Sequence, residues 1–170
     1  MADITVLAKK LFRWEGGFVD DPVDHGGATN MGITIATWRQ VGYDKDNDGD
    51  IDTDDIRLLT RADALLVLKR NYWDRWHADE IHNQALADIL VDWVWGSGKW
   101  GIIIPQRLLG VPDDGIVGLV TIGKLNQADP GIFLHEIYTQ RIIFLQNIVK
   151  NDPSQARFIH GWINRLNDFI

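Results

Sequence analysis

The stretch WEGGFVDDPVDHGGATNMGIT, residues 14–34, decides how the chain is interpreted. Apolar residues leading into it recur from Ile4 to Leu11 with the three- and four-residue spacing of one helix face. This spacing predicts an amphipathic helix from Ile4 to Glu15, which the following pair of glycines ends. Glycine, proline and aspartate then dominate the stretch, which predicts turns, with any strands confined to residues 26–34.

The same helical periodicity recurs along the rest of the chain, whereas the alternation typical of strands is scarce. Thr60 and Asp63 have the spacing of a capping box, which begins one of these helices. The predicted fold class is therefore mainly α, with a small β or turn region near the N-terminus. The further helices are predicted at ATWRQVG (36–42), LLVLKRNYWDRW (65–76), DEIHNQALADILVDWVW (79–95), GIFLHEIYTQRIIFLQNIVK (131–150) and FIHGWINRL (158–166), with a short one after the turn-rich GVPDDGIVG (110–118).

Length and composition predict one globular domain. The 170 residues are 45% hydrophobic, which is enough for a buried core, and we expect a single compact domain over residues 1–170. The chain has no cysteine, so no disulfide and no thiolate metal site is proposed. Its first residues lack a basic region followed by a long apolar run, and no run of 18 apolar residues occurs. We therefore expect neither a secretory signal nor stable insertion in a membrane.

The position of Glu15 around the helix axis is the first indication of a catalytic residue. At about 100° per residue, Glu15 lies only about 20° around the helix axis from Ile4, on the apolar face. Desolvation there and the negative end of the helix dipole both raise the pKa of a carboxylic acid, which suits a general acid. The alternatives are a structural ion pair with a buried base, or an exposed residue at the frayed end of the helix.

A second carboxylate follows at a suitable distance along the chain. Asp24 lies nine residues after Glu15, across glycines and a proline, and a returning loop can bring two such carboxylates face to face. Glycoside hydrolysis uses a pair of this kind, one protonated to donate to the leaving oxygen and one ionised. Asp20 and Asp21 compete for the second role, but they directly precede Pro22 and resemble turn residues.

The negative charge of the chain is concentrated in one segment. The net charge is −7, and DKDNDGDIDTDD, residues 44–55, holds seven of the 24 acidic residues and one of the 17 basic ones. The remainder is nearly balanced, and no block of Lys and Arg stands out. We therefore expect no nucleic-acid partner.

The spacing within this acidic segment is that of an EF-hand calcium loop. Counting from its first residue, Asp occupies positions 1, 3, 5, 7, 9 and 12, with Gly at 6 and Ile at 8. Oxygen ligands in this arrangement suit Ca²⁺, so we predict a structural calcium ion and no cofactor for catalysis. The alternative is a solvated acidic loop. The predicted ligands are Asp44, Asp46, Asp48, Asp50 through its backbone carbonyl and Asp55, with Asp52 acting through water.

Three segments resemble a known family. EGGFVDDPVDHGGATNMGIT (15–34) resembles the N-terminal motif of the glycoside hydrolase family 108 muramidases, and KRNYWDRWHADEI (69–81) resembles that family's Tyr-Trp-Asp helix. VDWVWGSGKWGIIIPQRLLGVPDDGIVGLVTIGKLN (91–126) resembles its C-terminal half, a predicted peptidoglycan-binding region. The resemblance implies a catalytic N-terminal half, residues 1–85, and a peptidoglycan-binding C-terminal half, residues 86–170.

The resemblance also implies a lysozyme-like helical fold with Glu15 as the catalytic acid. Phage lysozymes of the wider superfamily have an Asp nine residues after the acid and a Thr fifteen residues after it. Asp24 fits the first position, but the second holds Asn30, with Thr29 one position short. An Asn can position a water molecule but offers no hydroxyl. Gly96 is a second departure, because the family pattern predicts Asn there.

Substrate contacts are predicted from residues near the motif and from the tryptophans. Thr29 and His25 belong to the motif itself. The chain has eight tryptophans, whose planar rings suit sugars, although core packing is the alternative for each. Trp73 and Trp95 are the candidates for the sugar cleft.

The function that the resemblance implies is hydrolysis of peptidoglycan. We expect an N-acetylmuramidase that cleaves the β-1,4 bond between N-acetylmuramic acid and N-acetylglucosamine, acting as a monomer. Without a signal peptide, it would need a holin or a dedicated export system to reach the cell wall. The alternatives are a lytic transglycosylase, which needs one glutamate and no second carboxylate, and a non-catalytic cell-wall-binding or secretion-accessory protein.

Overall fold

The computed structural model describes residues 1–14, 16–20 and 27–170. Helices dominate these residues, which confirms the predicted mainly α fold. The α-helices are α1 (Ile4–Trp14), α2 (Ile35–Val41), α3 (Thr53–Arg57), α4 (Arg61–Leu68), α5 (Gln84–Ser97), α6 (Trp100–Leu109), α7 (Leu119–Gln127), α8 (Pro130–Asn151) and α9 (Ile159–Asn167). The strands are β1 (Thr29–Asn30) and β2 (Ile33–Thr34), and the shorter helical segments are Lys69–Trp73, Asp74–Trp76, Ala78–Glu80 and Pro153–Phe158.

The chain divides into two compact units. One comprises residues 8–71, and the other comprises residues 1–7 together with residues 72–170. The single domain predicted from length, with its division at residue 85, stays a prediction. Among the helices of the described ranges, none has the length and the apolar character needed to cross a membrane.

The small β region lies where the sequence predicts it. β1 and β2 form an antiparallel hairpin in which Thr29 faces Thr34 and Asn30 faces Ile33. The two residues between the strands both have positive φ, at 49° for Met31 and 75° for Gly32. Such a pair is typical of the tight hairpin turn whose twist matches that of the strands.

Local capping positions the helices that follow the hairpin. The hydroxyl of Thr34 accepts a hydrogen bond from the backbone of Thr37 at the start of α2. The capping box predicted for Thr60 and Asp63 is present at the start of α4, with both reciprocal hydrogen bonds formed. Trp38 from α2 is fully buried in this unit.

The helix predicted over residues 65–76 is not a continuous α-helix. α4 ends at Leu68, and the chain continues through the π-helical segment Lys69–Trp73 and the 3-10 segment Asp74–Trp76. His77 then adopts a left-handed conformation with φ of 47°. Apolar periodicity predicted helical structure here but does not show where backbone hydrogen bonding changes from one helical pattern to another.

α5 and α6 form the centre of the second unit. Asn83 caps the start of α5, and every residue of this helix from Leu86 to Val94 is buried. The two helices approach closely at Gly101, where an added Cβ would lie 2.5 Å from the backbone nitrogen of Val94. Only glycine leaves room for this contact, so Gly101 sets the packing of α6 against α5.

Candidate active site, acidic loop and buried ion cluster

The two residues predicted to carry the chemistry, Glu15 and Asp24, lie outside the described residues, as does His25. The described chain shows what adjoins them in sequence. α1 extends to Trp14, and Val19 forms an antiparallel bridge with Thr29, with two backbone hydrogen bonds of 2.8 Å each. The bridge therefore joins the two described ends of the segment that contains Asp24.

Thr29 and Asn30 are both on β1, so their side chains point to opposite faces of the hairpin. The hydroxyl of Thr29 donates to the backbone carbonyl of Gly27 at 3.3 Å. Asn30 is buried, and its Nδ2 donates to the backbone carbonyl of Ile56 at 2.9 Å. This hydrogen bond connects the hairpin to α3. The side-chain amide nitrogen of Asn30 therefore has a structural role in this unit.

The two tryptophans predicted to contact sugar occupy different environments. Trp73 has no exposed surface, and its Nε1 donates to Asp79 Oδ1 at 2.7 Å. That placement is a core position and lends no support to a sugar contact. Trp95 is partly exposed, and its ring centroid lies 4.7 Å from that of Tyr72 at an angle of 49°. Trp95 therefore keeps a surface that a sugar can reach.

The acidic loop brings most of its predicted ligands together. Carboxylate oxygens of Asp44, Asp46 and Asp48 lie within 4.8 Å of one another, and the same holds for Asp48, Asp50 and Asp52. Gly49, with φ of 107°, supplies the sharp turn between these groups. The side chains are largely exposed, so water and ions reach them.

Backbone N–H groups within the loop hold the carboxylates in place. The carboxylate of Asp44 accepts from the backbone of Asn47 at 2.6 Å and of Gly49 at 2.9 Å. The Gly49 hydrogen bond is the main reason that the pKa of Asp44 is below its ordinary value. The pKa of Asp50 is instead raised, mainly by the neighbouring charge of Asp48. Crowded carboxylates of this kind favour a cation.

Asp55 differs from the other predicted ligands because it is fully buried. Its Oδ2 accepts from the backbone of Asp52 at 2.8 Å, and its Oδ1 accepts from the backbone of Lys45. Asp55 and Asp52 also form the capping box of α3. Asp55, the last residue of the loop, is thus bonded to Lys45, the second residue, and closes the loop. The spacing of the sequence alone does not show this role.

Lys45 is a residue that the sequence reasoning missed. Its Nζ lies 2.7 Å from Asp63 Oδ2, and both side chains are nearly buried, at 12% and 8% exposed. Burial opposes the charge of Lys45, but the hydrogen bonds that its Nζ donates to Asp63 and Tyr43, together with the negative charge of Asp63, outweigh burial and raise the pKa of Lys45. The pair fastens the acidic loop to α4. The signal in the sequence was that Lys45 is the single basic residue among seven acidic ones in this loop.

The C-terminal motif is organised by a buried glutamine. Gln106 Nε2 donates to Asp114 Oδ1 at 3.1 Å and to the carbonyl of Ile116 at 2.9 Å. Its Oε1 accepts from the backbone of Gly115 at 2.9 Å. The side chain of Gln106 thus donates to one part of this turn and accepts from another, so the Gln, Asp and Gly of the motif form one structural element. Thr121 lies beside this element.

A buried ion cluster joins three helices of the second unit, and sequence reasoning missed it as well. Asp92 on α5 has no exposed surface and accepts from Arg141 Nη2 and Arg165 Nη2, each at 2.8 Å. Arg141 on α8 also donates to the carbonyl of Ile89 at 3.2 Å, and its guanidinium lies 5.5 Å from the ring centroid of Trp93. Burial lowers the pKa of Arg141 below its ordinary value.

The described residues form a mainly α fold with a small hairpin near the N-terminus, as in the lysozyme-like class of glycoside hydrolases. Residues 8–98 match the model of the family described as Glycosyl hydrolase 108, and the chain belongs to this family. Residues 100–167 match a second model, described as Predicted Peptidoglycan domain. The two matches meet at residues 98 and 100, beyond the division predicted at residue 85.

A solved structure and the curated proteins complete the comparison. The chain is similar to SagA of Brucella abortus, with 27% sequence identity and a TM-score of 0.79. The similarity covers 98% of this chain and 90% of that one. No curated protein matches the chain.

Proposed function

We propose that the protein is an N-acetylmuramidase that cleaves the β-1,4 bond between N-acetylmuramic acid and N-acetylglucosamine in peptidoglycan. The observation that carries the proposal is the family match over residues 8–98, which contains the whole Glu-Gly-Gly motif. The adjoining peptidoglycan domain supports the same polymer as the substrate. Its action would then take place at the bacterial cell wall, and delivery by a holin or an export system stays a prediction.

Glu15 is the proposed general acid, and Asp24 is the proposed partner that activates water or stabilises positive charge on the sugar. In this reaction the acid donates its proton to the leaving oxygen, and water supplies the hydroxyl that the anomeric carbon gains. The Val19–Thr29 bridge supports the pairing, because it fixes the described ends of the segment that contains Asp24. The hydrogen bond of Asn30 to the carbonyl of Ile56 is structural, so the proposed part of Asn30 in catalysis rests on the family resemblance.

Digestion of purified peptidoglycan with mass analysis of the products tests the proposal. The wild type should release fragments with reducing N-acetylmuramic acid ends, and Glu15→Gln should release at least about a hundredfold fewer, since general acid catalysis contributes on that order. Asp20→Asn is the matched control and should keep most of the activity. Anhydro ends would identify a lytic transglycosylase instead. Equal activity of wild type and Glu15→Gln would remove Glu15 from the mechanism.

The acidic loop is proposed to hold a structural Ca²⁺ ion. The donor set is all oxygen, as a hard cation requires, and Asp44, Asp46 and Asp48 already lie close enough to share one ion. Asp50 would add its backbone carbonyl. Asp55 would join through a lone pair that its two backbone hydrogen bonds leave over. The bound ion would relieve the repulsion among these carboxylates and hold the loop.

Thermal unfolding with and without calcium tests this site. EDTA should lower the Tm of the wild type and added Ca²⁺ should restore it, because an ion that binds only the folded state stabilises that state. The double variant Asp44→Ala/Asp48→Ala should not respond to calcium. Asp54→Ala removes a charge from the same segment outside both carboxylate groups, and it should respond like the wild type. A wild type without any calcium response would refute the assignment.

A further inference from the structure

A groove of about 330 Å³ lies between the ends of α6 and α7 and the first turns of α8, within the second unit. This volume is far above the roughly 10–15 Å³ that one water molecule needs, so the groove has room for the end of a ligand side chain. Part of the lining is apolar and part is charged. The lining residues used below are Leu109, Lys124, Asp129, Ile132, Phe133 and Glu136.

We propose that this groove binds the side-chain amine of the diamino acid in a peptidoglycan stem peptide, with the carboxylate of Glu136 as its main partner. The inference deepens the proposed function, on which it rests for the identity of the polymer, because it gives the C-terminal half a chemical group to recognise. All the lining residues lie within residues 100–167, which match the peptidoglycan domain. Because a cross-link between stem peptides consumes this amine, the site would select stem peptides whose amine is still free.

One face of α8 carries the carboxylates and the apolar contacts. Asp129, Ile132, Phe133 and Glu136 follow one another at the three- and four-residue spacing of a single helix face. Long side chains on a helix lean towards its N-terminus, which directs the Glu136 carboxylate back along this face. Within the described part of the chain, no hydrogen bond or ion pair engages that carboxylate. It is therefore available to a ligand that lies over Ile132 and Phe133.

The charges around the groove favour a cation. Its described lining includes two carboxylates, of Asp129 and Glu136, and one ammonium, of Lys124, for a net charge of about −1. The C-termini of α6 and α7 add to this charge, because the last carbonyls of a helix have no partner within it and form the negative end of its dipole. The positive end of α8 is offset by Asp129, whose Oδ1 accepts from the backbone of Ile132 at 2.9 Å. A cleft with this balance of charge concentrates cations.

The apolar lining selects a cation at the end of an aliphatic chain. Phe133 is only 3% exposed and lines the groove together with Leu109, whereas Ile132 is 65% exposed. A large aliphatic side chain that is mostly exposed beside a buried ring offers a surface that the methylene groups of a ligand can cover. In peptidoglycan the N-acetylated sugars carry no positive charge and the free carboxylates are negative. The side-chain amine of the diamino acid, at the end of a short methylene chain, therefore matches this lining.

The competing interpretation is that Glu136 and Lys124 only form the solvated surface of α7 and α8. A surface of this kind predicts no difference between a free and an acetylated amine. Calorimetric titration of the full chain with L-alanyl-γ-D-glutamyl-L-lysine, with the corresponding meso-diaminopimelate peptide, and with both peptides acetylated on the side-chain amine separates the two. Each free amine should bind at least about tenfold more tightly than its acetylated form, as expected for one charged hydrogen bond. The tighter of the two free peptides identifies the diamino acid that the groove accepts.

Two substitutions should change binding of the free lysine peptide in opposite directions. Glu136→Gln should weaken it at least about tenfold, because the partner charge is lost while the side chain keeps its length. Lys124→Gln should tighten it by about twofold or more, because a charge that repels the ammonium is lost. Glu80→Gln is the matched control, since Glu80 is also an exposed glutamate of this unit but does not line the groove. It should bind like the wild type, and thermal unfolding of the three variants checks that they fold.

Several results would overturn the site: equal binding of free and acetylated peptides, no binding of any peptide, or a Glu136→Gln variant that binds like the wild type. Weaker binding of the lysine peptide by Lys124→Gln would also overturn it, because the charge of the lining would then not govern recognition. A second copy of the chain is the other possible occupant. It would appear as a dimer in sedimentation that Ile132→Asp dissociates, with no peptide bound, and this result too would overturn the site.

Digestion of intact peptidoglycan by the same preparation separates failure of this site from failure of the proposed function. Fragments released by a protein that binds none of the peptides would refute the amine site alone. A protein that binds the free amines but cleaves no glycan would refute the muramidase proposal alone.

Discussion

Replacing Asp92 with alanine should destabilise the protein more than any surface ion-pair substitution. Asp92 has no exposed surface and accepts three N–H donations from two guanidiniums, at 2.8, 2.8 and 3.2 Å. Asp92→Ala removes the carboxylate and leaves Arg141 and Arg165 facing each other across the space. The guanidinium of Arg141 has little access to water, because its side chain is only 10% exposed.

The expected loss follows from that burial. Removing one partner of a buried ion pair costs about 3–5 kcal/mol, because the remaining charge stays uncompensated in the interior. The loss is not the sum of three separate hydrogen bonds, since Arg141 keeps its bond to Ile89 and its contact with Trp93. For a chain of this length each kcal/mol lowers Tm by roughly 2–4 °C, so Asp92→Ala should lower it by about 6–20 °C.

Urea and thermal unfolding of Asp92→Ala and Asp113→Ala together provide the measurement. Asp113 pairs with Arg107 at 2.6 Å, but these side chains are 47% and 58% exposed. An exposed pair contributes little to stability because water and salt screen it, so the control should unfold nearly like the wild type. Similar losses in the two variants would show that burial does not decide the strength of the Asp92 cluster, and a loss below about 1 kcal/mol for Asp92→Ala would refute the reasoning.

Two further substitutions test the fold. Gly101→Ala should lower the free energy of unfolding by about 1–3 kcal/mol, because its Cβ would lie 2.5 Å from the Val94 nitrogen. Gly96→Ala is in open space and should raise the free energy of unfolding by up to about 1 kcal/mol. Equal effects in chemical unfolding would contradict the close approach of the two helices. Burial alone would raise the pKa of Asp63, but the hydrogen bond from Lys45 and those at the helix start hold it below its ordinary value. Its stabilisation is therefore present above the unfolded pKa of about 3.9 and is lost as pH falls through the lower folded pKa. Asp63→Asn should lower stability by about 1.5–3 kcal/mol at neutral pH and flatten the acid limb of a Tm-against-pH profile, and an unchanged profile would contradict the Lys45 pairing.

Features that depend on neighbouring residues could be predicted from the sequence. The hairpin lies at residues 29–34, within the predicted range, because glycine and the residues around it determine the turn locally. The capping box of Thr60 and Asp63 is present for the same reason. The clustering of Asp44, Asp46 and Asp48 is also local, since alternating positions in one tight loop must lie close together.

Burial of single aromatic residues could not be predicted in the same way. Trp73 and Trp95 both follow helical patterns, yet the first is enclosed and the second partly exposed. Periodicity assigns a residue to a helix face, but whether that face meets protein or water depends on elements far away in sequence. Asn30 illustrates the same limit, because its hydrogen bond reaches Ile56, 26 residues away.

The ion cluster could not be predicted from any local spacing, because its members lie far apart along the chain. Asp92 meets Arg141 across 49 residues and Arg165 across 73, so no local pattern marks the three as a group. A cluster used only to fasten helices could be replaced by apolar packing, often at no loss of stability. Here two guanidiniums from different helices converge on one carboxylate that has no exposed surface, so removing any one of the three groups leaves a charge without compensation in the interior.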